Sequence, residues 1–282
     1  MYQTVAIQGI KGSFHHQAAR ECFGLDCTVT ECLTFTDLVE TVLSGVAGYG
    51  IMAVENSLVG AILPNYGLIR ESSPTIIGEV YLRIEQNLLA LPGQSVDEIK
   101  EVYSHPMALQ QCGVFLSMLK DVRVVASDDT ALSAKQVAEK GQKGVAAIAS
   151  MDAAREYGLE VVQSGIESYK DNFTRFVALT QNPNVACSHM ANKASIAFAL
   201  PHKPGSLQKA LQVFSRYGMN LTMLHSLPQV GQCWEYFFHA DLVFRHIDDL
   251  NLGLQSLNRC TTFTKVMGIY HSESLNNNST TT

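Results

Sequence analysis

A carboxamide, a hydroxyl and a guanidinium stand together in the stretch Asp171-Asn172-Phe173-Thr174-Arg175-Phe176, ahead of an apolar run that ends at Leu179. A run of Val, Leu and Phe favours a buried strand, so its first residues are held rigidly. A fixed hydroxyl beside a permanent cation suits a small anionic substrate. The alternative is a structural salt bridge at the strand end, which an isolated arginine more often forms.

Three polar residues, Glu55-Asn56-Ser57, follow a second apolar run that begins at Tyr49. Open α/β sheets bind ligands at the carboxyl ends of their strands, so this cluster is a candidate binding site. Asn and Ser are also common helix caps, which is the alternative interpretation.

Two further polar clusters precede predicted helices. Ser104-His105-Pro106 leads into a helix that carries Gln111, and Asp129-Thr130 stands ahead of another helix. His105 is a candidate acid, base or ligand, although a histidine before proline at a helix start is more often a capping or packing residue. Asp129 and Thr130 are N-cap candidates whatever the function.

A glycine turn follows the first predicted strand. Gly9, Lys11, Gly12 and Ser13 lead into a helix predicted from Phe14 to Phe23. Backbone N–H groups at such a helix start are able to hold an anion. The turn lacks the G-x-G-x-x-G pattern, so a dinucleotide is not expected.

Composition limits the classes of function. The chain has 282 residues, 46% of them hydrophobic, and a formal net charge of -6. An acidic balance without a Lys/Arg run argues against nucleic-acid binding. The seven cysteines contain no C-x-x-C pair, so reduced thiols are expected and a metal site is not. There is no signal-peptide pattern and no run of about 18 apolar residues, so we expect a soluble cytoplasmic protein and no membrane partner.

The order of predicted elements indicates two α/β lobes and a C-terminal unit. Lobe 1 comprises about residues 1–75 and 171–180, and lobe 2 about residues 76–170. The extended stretch from Ile76 to Leu91 alternates Val80 and Leu82 with Glu79 and Tyr81, which predicts a half-solvated strand. Residues 181–192 read as a linker, residues 193–272 as a strand-helix-strand-strand-helix-strand unit, and residues 273–282 as a disordered tail.

Taken in order, these motifs resemble prephenate dehydratase with its C-terminal ACT regulatory domain. The resemblance runs from Val5 to Tyr270. The matching stretches are Gly12-Ser13-Phe14, Glu55-Asn56-Ser57, Ser104-His105-Pro106, Gln111-Cys112, Asp129-Thr130-Ala131 and Asn172-Phe173-Thr174-Arg175-Phe176.

The resemblance implies an α/β fold, with a two-lobed periplasmic-binding-protein-like (type II) catalytic domain at residues 1–180 and a ferredoxin-like βαββαβ ACT domain at residues 193–272. It implies conversion of prephenate to phenylpyruvate, water and carbon dioxide on the way to phenylalanine, without a metal or organic cofactor. The implied catalytic residues are Thr174, Glu55, Asn56, Gln111 and Ser104. The implied substrate-binding residues are Arg175, Phe176, Ser57, Ser13, His105, Asp129 and Thr130.

Residue chemistry agrees with these roles. Arg175 is the natural bidentate partner of a carboxylate, and Thr174 is expected to polarise the departing hydroxyl. A threonine proton is too weakly acidic to be transferred cheaply. We expect Glu55 to act as the acid if burial raises its pKa, an effect that Arg175 would oppose.

The ACT unit departs from its family. The resemblance implies an L-phenylalanine effector site and a homodimer or homotetramer, with regulatory residues Gly205, Ser206, Leu207, Asn220, Leu221, His225 and Ser226. The family's Glu-Ser-Arg-Pro motif reads His225-Ser226-Leu227-Pro228 here. Loss of the charged pair predicts a weaker or differently tuned response to phenylalanine.

Three alternatives remain open. Arogenate dehydratase performs the same chemistry on the amino analogue of prephenate. A non-catalytic two-lobed small-molecule sensor is a second alternative, although binding alone does not need a hydroxyl aimed at a leaving group. A structural assembly protein would leave the polar clusters at the strand ends unexplained.

Overall fold

The computed structural model of the chain describes residues 3–182, 190–229 and 236–272. Strands and helices alternate from the N-terminus. They are β1 (Thr4–Gln8), α1 (Phe14–Phe23), β2 (Thr28–Cys32), α2 (Phe35–Leu43), β3 (Tyr49–Asn56), β4 (Gly60–Ala61), α3 (Leu63–Ser72) and β5 (Thr75–Arg83). Helix α3 begins at Leu63. Pro64 lies in its first turn, where a missing N–H does no harm.

The central part of the chain continues the alternation. Its elements are β6 (Asn87–Ala90), β7 (Glu101–Ser104), α4 (Pro106–Gln111), α5 (Gly113–Met118), β8 (Arg123–Ala126), α6 (Thr130–Lys140), β9 (Val145–Ala149), α7 (Met151–Tyr157), β10 (Glu160–Gln163) and β11 (Phe173–Thr180). Helices α4 and α5 are separate, because Cys112 between them leaves helical geometry at φ −97° and ψ 13°.

The C-terminal elements confirm the predicted order of strands and helices. They are β12 (Lys193–Ala199), α8 (Ser206–Arg216), β13 (Asn220–Pro228), β14 (Tyr236–Val243), α9 (Ile247–Leu257) and β15 (Phe263–Tyr270). Residues 183–189 of the predicted linker, the predicted strand start at Trp234 and the predicted tail at residues 273–282 lie outside the described residues.

Strands of the described residues form three sheets. The first has the order β2-β1-β3-β11-β5 with β4 beside β3, the second β10-β6-β9-β7-β8, and the third β13-β14-β12-β15. β9 is buried along its whole length, since Ala147 packs on one side of the second sheet and Ile148 on the other. In the first sheet β3 and β11 are neighbours, so the two polar clusters that adjoin them are brought together.

The chain divides into two compact units. One comprises Met1–Leu38, Gly50–Gly60 and Val80–Phe176, and the other Val39–Tyr49, Ala61–Glu79 and Val177–Thr282. The second unit therefore contains the third sheet together with α3 and the first part of β5. The division at residues 180 and 193 into catalytic and regulatory domains stays a prediction.

One face of the third sheet is apolar. Ile196, Phe198 and Leu242 pack in a single buried cluster with Phe214 of α8 and Leu250 of α9. The alternation of apolar residues along β12 produces this face, as expected for a half-covered antiparallel strand.

The other face of the third sheet is polar and also buried. Lys193 Nζ lies 2.8 Å from Glu79 Oε1 of β5, and the two side chains are only 4% and 1% exposed. Gly268 of β15 lies so close to β5 that an added Cβ would be 2.7 Å from the Ile76 Cβ. The prediction that Glu79 lies on a solvated strand face is therefore wrong, because the third sheet covers it.

Helix α3 covers another part of the polar face. The guanidinium carbon of Arg70 lies 3.8 Å from the centre of the Phe237 ring, and the Tyr66 ring lies 5.8 Å from that of His239. Both ring nitrogens of His239 are buried without a hydrogen-bond partner among the described residues. No helix in the described ranges is long and apolar enough to cross a membrane.

Candidate active site

Asn56 and Thr174 meet where β3 ends and β11 begins. Asn56 Nδ2 donates to Thr174 Oγ1 at 3.0 Å, to Asn172 Oδ1 at 2.7 Å and to the Phe173 carbonyl at 3.2 Å. Since a carboxamide has two N–H groups, these three acceptors share them. Two residues that the family resemblance implies to be catalytic, Asn56 and Thr174, are therefore in contact in the structure.

The other end of the Asn56 side chain organises the turn that follows β3. Asn56 Oδ1 accepts from the backbone N–H groups of Leu58 and Val59 at 3.0 and 3.1 Å. Ser57 ties this turn to the start of β11, since its Oγ donates to the Asp171 carbonyl and accepts from Phe173 N, each at 2.9 Å. The hydroxyl of Ser57 is therefore engaged by backbone on both sides.

Gln111 joins the same group through Asn172. Asn172 is fully buried, and its Nδ2 donates to Gln111 Oε1 at 3.1 Å. The sequence pattern assigns no role to Asn172, although the residue lies in the central stretch. The signal that could identify it is its place two residues ahead of Thr174.

The Thr174 hydroxyl accepts a hydrogen bond, and its own proton is available to a ligand. Thr174 is 9% exposed, and its Oγ1 accepts a hydrogen bond from Asn56. No acceptor for the hydroxyl proton occurs among the described residues.

Arg175 and Glu55 form a second pair across the same two strands. Arg175 Nη1 lies 3.8 Å from Glu55 Oε2, and the side chains are 3% and 38% exposed. Consecutive residues of a strand face opposite sides, so Arg175 points away from the side of Thr174. Glu55 lacks the burial that its predicted role as the acid requires.

The remaining predicted residues of the second sheet have local partners. Ser104 is fully buried and donates its hydroxyl to the Ile148 carbonyl at 2.6 Å. His105 is the N-cap of α4, with Nδ1 accepting from Met107 N at 3.2 Å. Asp129 caps α6 through Leu132 N at 2.9 Å, and Thr130 is the first residue of that helix.

Three N–H groups of the glycine turn before α1 already have partners within the protein. Lys11 N donates to Glu31 Oε1 at 2.8 Å, Gly12 N to His16 Nδ1 at 3.0 Å, and Ser13 N to the Ile10 carbonyl at 3.1 Å. These three N–H groups are therefore not available to an anion, and the expectation that the start of α1 holds one stays a prediction. Ser13 is 3% exposed and caps α1, accepting from His16 N at 3.3 Å.

This turn instead packs on the N-terminus of α7. The Gly12 carbonyl accepts from Ser150 Oγ at 2.5 Å, and the Lys11 carbonyl accepts from the Tyr157 hydroxyl at 2.6 Å. A Cβ at Gly12 would lie 2.8 Å from the Ala153 Cα, so only glycine fits. Sequence patterns give no signal for Ser150 or Tyr157.

Phe176 belongs to the core. It is 1% exposed, and the His15 ring packs edge-on against it at a centroid distance of 5.0 Å. Burial lowers the pKa of His15 to about 4, so the imidazole is neutral at pH 7. Burial also raises the pKa of the Cys112 thiol, next to Gln111, to about 12. The His15 imidazole and the Cys112 thiol are therefore uncharged at pH 7, and both serve as packing residues.

The sequence that contains this polar cluster matches a known protein family. The family model described as prephenate dehydratase matches residues 5–184. The chain belongs to the prephenate dehydratase family. Its predicted activity is thereby confirmed at the level of the family: a hydro-lyase that dehydrates and decarboxylates prephenate in phenylalanine biosynthesis.

A curated relative extends the match over most of the chain. The sequence is 36% identical over 276 residues to arogenate dehydratase/prephenate dehydratase 2, chloroplastic, of Arabidopsis thaliana, with 94% of this chain and 72% of the relative covered.

Two solved structures are similar to the chain over nearly its full length. One is prephenate dehydratase of Arthrobacter aurescens in complex with L-Phe, with a TM-score of 0.83, 27% identity, and 95% of this chain and 89% of that chain covered. The other is GqqA, described as a quorum quenching acylase, with a TM-score of 0.87, 28% identity, and 97% and 100% covered. The predicted α/β fold class, two-lobed and periplasmic-binding-protein-like with a ferredoxin-like βαββαβ unit, is confirmed.

The predicted regulatory residues lie on two faces of the third sheet. Gly205, at φ 81°, is the N-cap of α8, and Ser206 and Leu207 line a cavity of about 140 Å³ together with Phe238. Asn220 and Leu221 begin β13. Ser226 pairs with Phe238 in register, whereas His225 pairs with His239 and lies 6.5 Å, ring to ring, from Tyr66.

Among the described residues there is no group of three or more His, Cys, Asp or Glu side chains that could hold a metal ion.

Proposed function

We propose that the chain converts prephenate to phenylpyruvate with Thr174 and Gln111 as neutral hydrogen-bond donors, Asn56 as the group that polarises Thr174, and Arg175 as the cation for a carboxylate. The observation that carries this proposal is the direction of the Asn56–Thr174 hydrogen bond, 3.0 Å long. Because Thr174 Oγ1 accepts from Asn56, the Thr174 proton is left to point at a substrate oxygen.

The chemistry assigns each group a task. The carbon–carbon bond to the ring carboxylate breaks, its electron pair enters the ring, and the carbon–oxygen bond to the ring hydroxyl breaks at the opposite carbon. Carbon dioxide and hydroxide depart, and the hydroxide takes up one proton to become water. A hydrogen bond from Thr174, itself polarised by Asn56, stabilises the negative charge that develops on the leaving oxygen.

Arg175 and Glu55 form a charged pair at the same strand end, on the side opposite Thr174. Arg175 is buried, and the Glu55 carboxylate oxygen lies 3.8 Å away, beyond hydrogen-bond distance. A substrate carboxylate that reaches Arg175 at the strand end gains a charge-assisted hydrogen bond. Glu55 is 38% exposed, and its role here is to orient Arg175 rather than to supply the proton.

Replacement of Thr174 by Val tests the proposal, because it removes the hydroxyl and keeps the shape. We expect kcat for phenylpyruvate formation from prephenate to fall roughly 10²- to 10³-fold with little change in KM, as for the loss of one oxyanion donor. Glu55→Gln should change kcat far less and leave its pH profile in place.

Thr180→Val, on the same strand, is the matched control, since Thr180 donates only to the Gly48 carbonyl at 3.0 Å. An unchanged kcat in Thr174→Val would contradict the proposal.

Arogenate is the competing substrate, because the Arabidopsis relative carries both names. The ratio of kcat/KM on the two substrates decides between them, and we expect prephenate to be preferred. The donor set described here contacts groups that both substrates share, so Thr174→Val should impair both reactions equally.

The structural likeness to GqqA raises acyl transfer as a second candidate. Acyl transfer by a hydroxyl needs a neighbouring base to take its proton. Thr174 is hydrogen-bonded by the Asn56 carboxamide, which cannot act as that base. This geometry favours dehydration, and an acylase assay on the same preparation is the corresponding control.

L-Phenylalanine is the proposed effector, as the Arthrobacter complex suggests. The two departures from the family motif, His225 and Leu227, pair with His239 and Phe237 and so lie on the sheet face turned to α3. Ser226 faces the side of Phe238, which lines the cavity beside Ser206. From this placement we expect phenylalanine still to bind, and its effect on the enzyme's activity to be altered.

The proposed setting is a cytoplasmic homo-oligomer. Five cysteines in the described ranges form no disulfide, which agrees with a reducing compartment: Cys22, Cys27, Cys32, Cys112 and Cys260. β13 is an edge strand of the third sheet, which leaves one side open to a second copy.

A further inference from the structure

Three carboxamides form a continuous row in the candidate site. Asn56 Nδ2 donates to Asn172 Oδ1 at 2.7 Å, and Asn172 Nδ2 donates to Gln111 Oε1 at 3.1 Å. Every carboxamide has a donor end and an acceptor end, so one orientation fixes the next.

Backbone groups determine the direction of the row. The N–H groups of Leu58 and Val59 both point at Asn56, and an N–H can only donate. The Asn56 oxygen must therefore face them, and its nitrogen must face Asn172. Asn172 then presents its oxygen to Asn56 and its nitrogen to Gln111.

The last member of the row is left with a free donor. Gln111 Oε1 is occupied by Asn172, and no described residue accepts from Gln111 Nε2. Two backbone bonds keep the row in place, since Ile84 N donates to the Asn172 carbonyl at 2.7 Å and Ser168 N to the Gln111 carbonyl at 2.8 Å.

We infer that Asn172 is a positioning residue that holds Gln111 with its N–H groups, rather than its oxygen, toward the substrate. The inference rests on the proposed function, in which Gln111 donates to an anionic substrate. Asn172 is fully buried and acts only through Gln111 and Asn56.

Asn172→Asp tests the direction at almost constant volume. The carboxylate that this substitution introduces can only accept, so Gln111 must turn its nitrogen toward it and its oxygen toward the substrate. We expect kcat/KM on prephenate to fall roughly 10- to 100-fold at pH 8, mostly through KM, as for a lost hydrogen bond to a charged group. Activity should recover as the pH falls and the introduced carboxyl group regains a proton to donate.

A double-variant cycle separates this effect from direct repulsion of the substrate by the introduced negative charge. In a Gln111→Met background, Asn172→Asp should add less than a twofold further loss. A loss of the same size in both backgrounds, or one that does not change with pH, would overturn the inference.

Gln111→Glu gives a second test that leaves Asn172 intact. It places an acceptor where the donor belongs, so its loss in kcat/KM should exceed that of Gln111→Met at least threefold. Equal losses would contradict the inference. If Gln111→Met and Thr174→Val both match the wild type, the proposed function itself fails, whereas a normal Asn172→Asp with an impaired Gln111→Met rejects only the positioning role.

Discussion

The two faces of the third sheet are both buried, yet they are built on opposite chemistry. Toward α8 and α9 the sheet presents apolar side chains such as Ile196 and Phe198. Toward α3 and β5 it presents Lys193, His239 and Asp241, all of them buried.

The two faces differ in how strictly they fix the position of the sheet. Apolar burial is non-directional, so it stabilises many similar packings. The polar face is satisfied only in one register: Lys193 Nζ donates to Glu79 Oε1 of β5 at 2.8 Å, and the Tyr270 hydroxyl donates to Glu79 Oε2 at 3.5 Å. A small shift of the sheet on β5 would break these bonds. The polar face therefore fixes position, and the apolar face mainly supplies stability.

The largest expected effect comes from the buried ion pair. Lys193→Met leaves Glu79 charged and buried, and should lower the free energy of unfolding by about 3–5 kcal/mol. The double variant Lys193→Met with Glu79→Met should recover most of that loss, because the two apolar side chains pack together. Denaturant unfolding of both variants measures this.

The apolar face provides the comparison for the ion pair. Phe198→Ala should also cost about 3–5 kcal/mol, but no second substitution there restores it in the same way. A Lys193→Met variant as stable as the wild type would show that the pair lies in water rather than between sheet and strand.

A smaller effect is expected at Gly268. An added Cβ would lie 2.7 Å from the Ile76 Cβ and 2.9 Å from the Ile76 carbonyl carbon, and backbone cannot move aside cheaply. Gly268→Ala should therefore destabilise by about 1–3 kcal/mol, as overpacking does. Gly78→Ala on β5 is the matched control, since nothing lies within 4 Å of its added Cβ. Thermal unfolding of the two variants should differ clearly, and equal melting temperatures would refute the close approach.

An effect of similar size is expected from pH. Burial, with Arg70 and His225 nearby, lowers the pKa of His239 from 6.5 to about 4. The unfolded state therefore binds the proton more readily than the folded state, and stability is lost as the pH falls from 6.5 toward 4. Between pH 7 and pH 5 His239 should account for about 2 kcal/mol of that loss.

His239→Gln should remove this part of the pH dependence, and unfolding curves at the two pH values measure it. His202→Gln, at an exposed position, is the control. The groups that face His239 are Tyr66 and Arg70 from α3 and His225 from β13, and none is a carboxylate that would stabilise the charged form. An identical pH dependence in His239→Gln and the wild type would contradict the assignment.

The sequence predicts the elements well where apolar spacing and turn residues agree. Helix α1 runs from Phe14 to Phe23 as predicted, because its limits depend on a local pattern. The meeting of Asn56 with Thr174 agrees with the shared active site that the family resemblance implies.

Long-range packing explains where the sequence-based predictions differ from the structure. Glu79 alternates with apolar residues as on a solvated strand, but the third sheet, far along the chain, covers it. Gly12 looks like an anion-binding glycine, but what it makes room for is the backbone of Ala153. Alternation and glycine turns show what a residue is able to do, not which distant segment packs on it.

The bonds from Leu58 and Val59 to the Asn56 oxygen have a consequence for the rate of reaction. In water, dipoles must rotate to meet the charge that grows on a departing oxygen, and that rotation costs free energy. Here the orientation is imposed by the main chain before any ligand arrives. The reorganisation term of the barrier is therefore already small in the empty enzyme, as required of a catalyst that works without a charged acid at the leaving group.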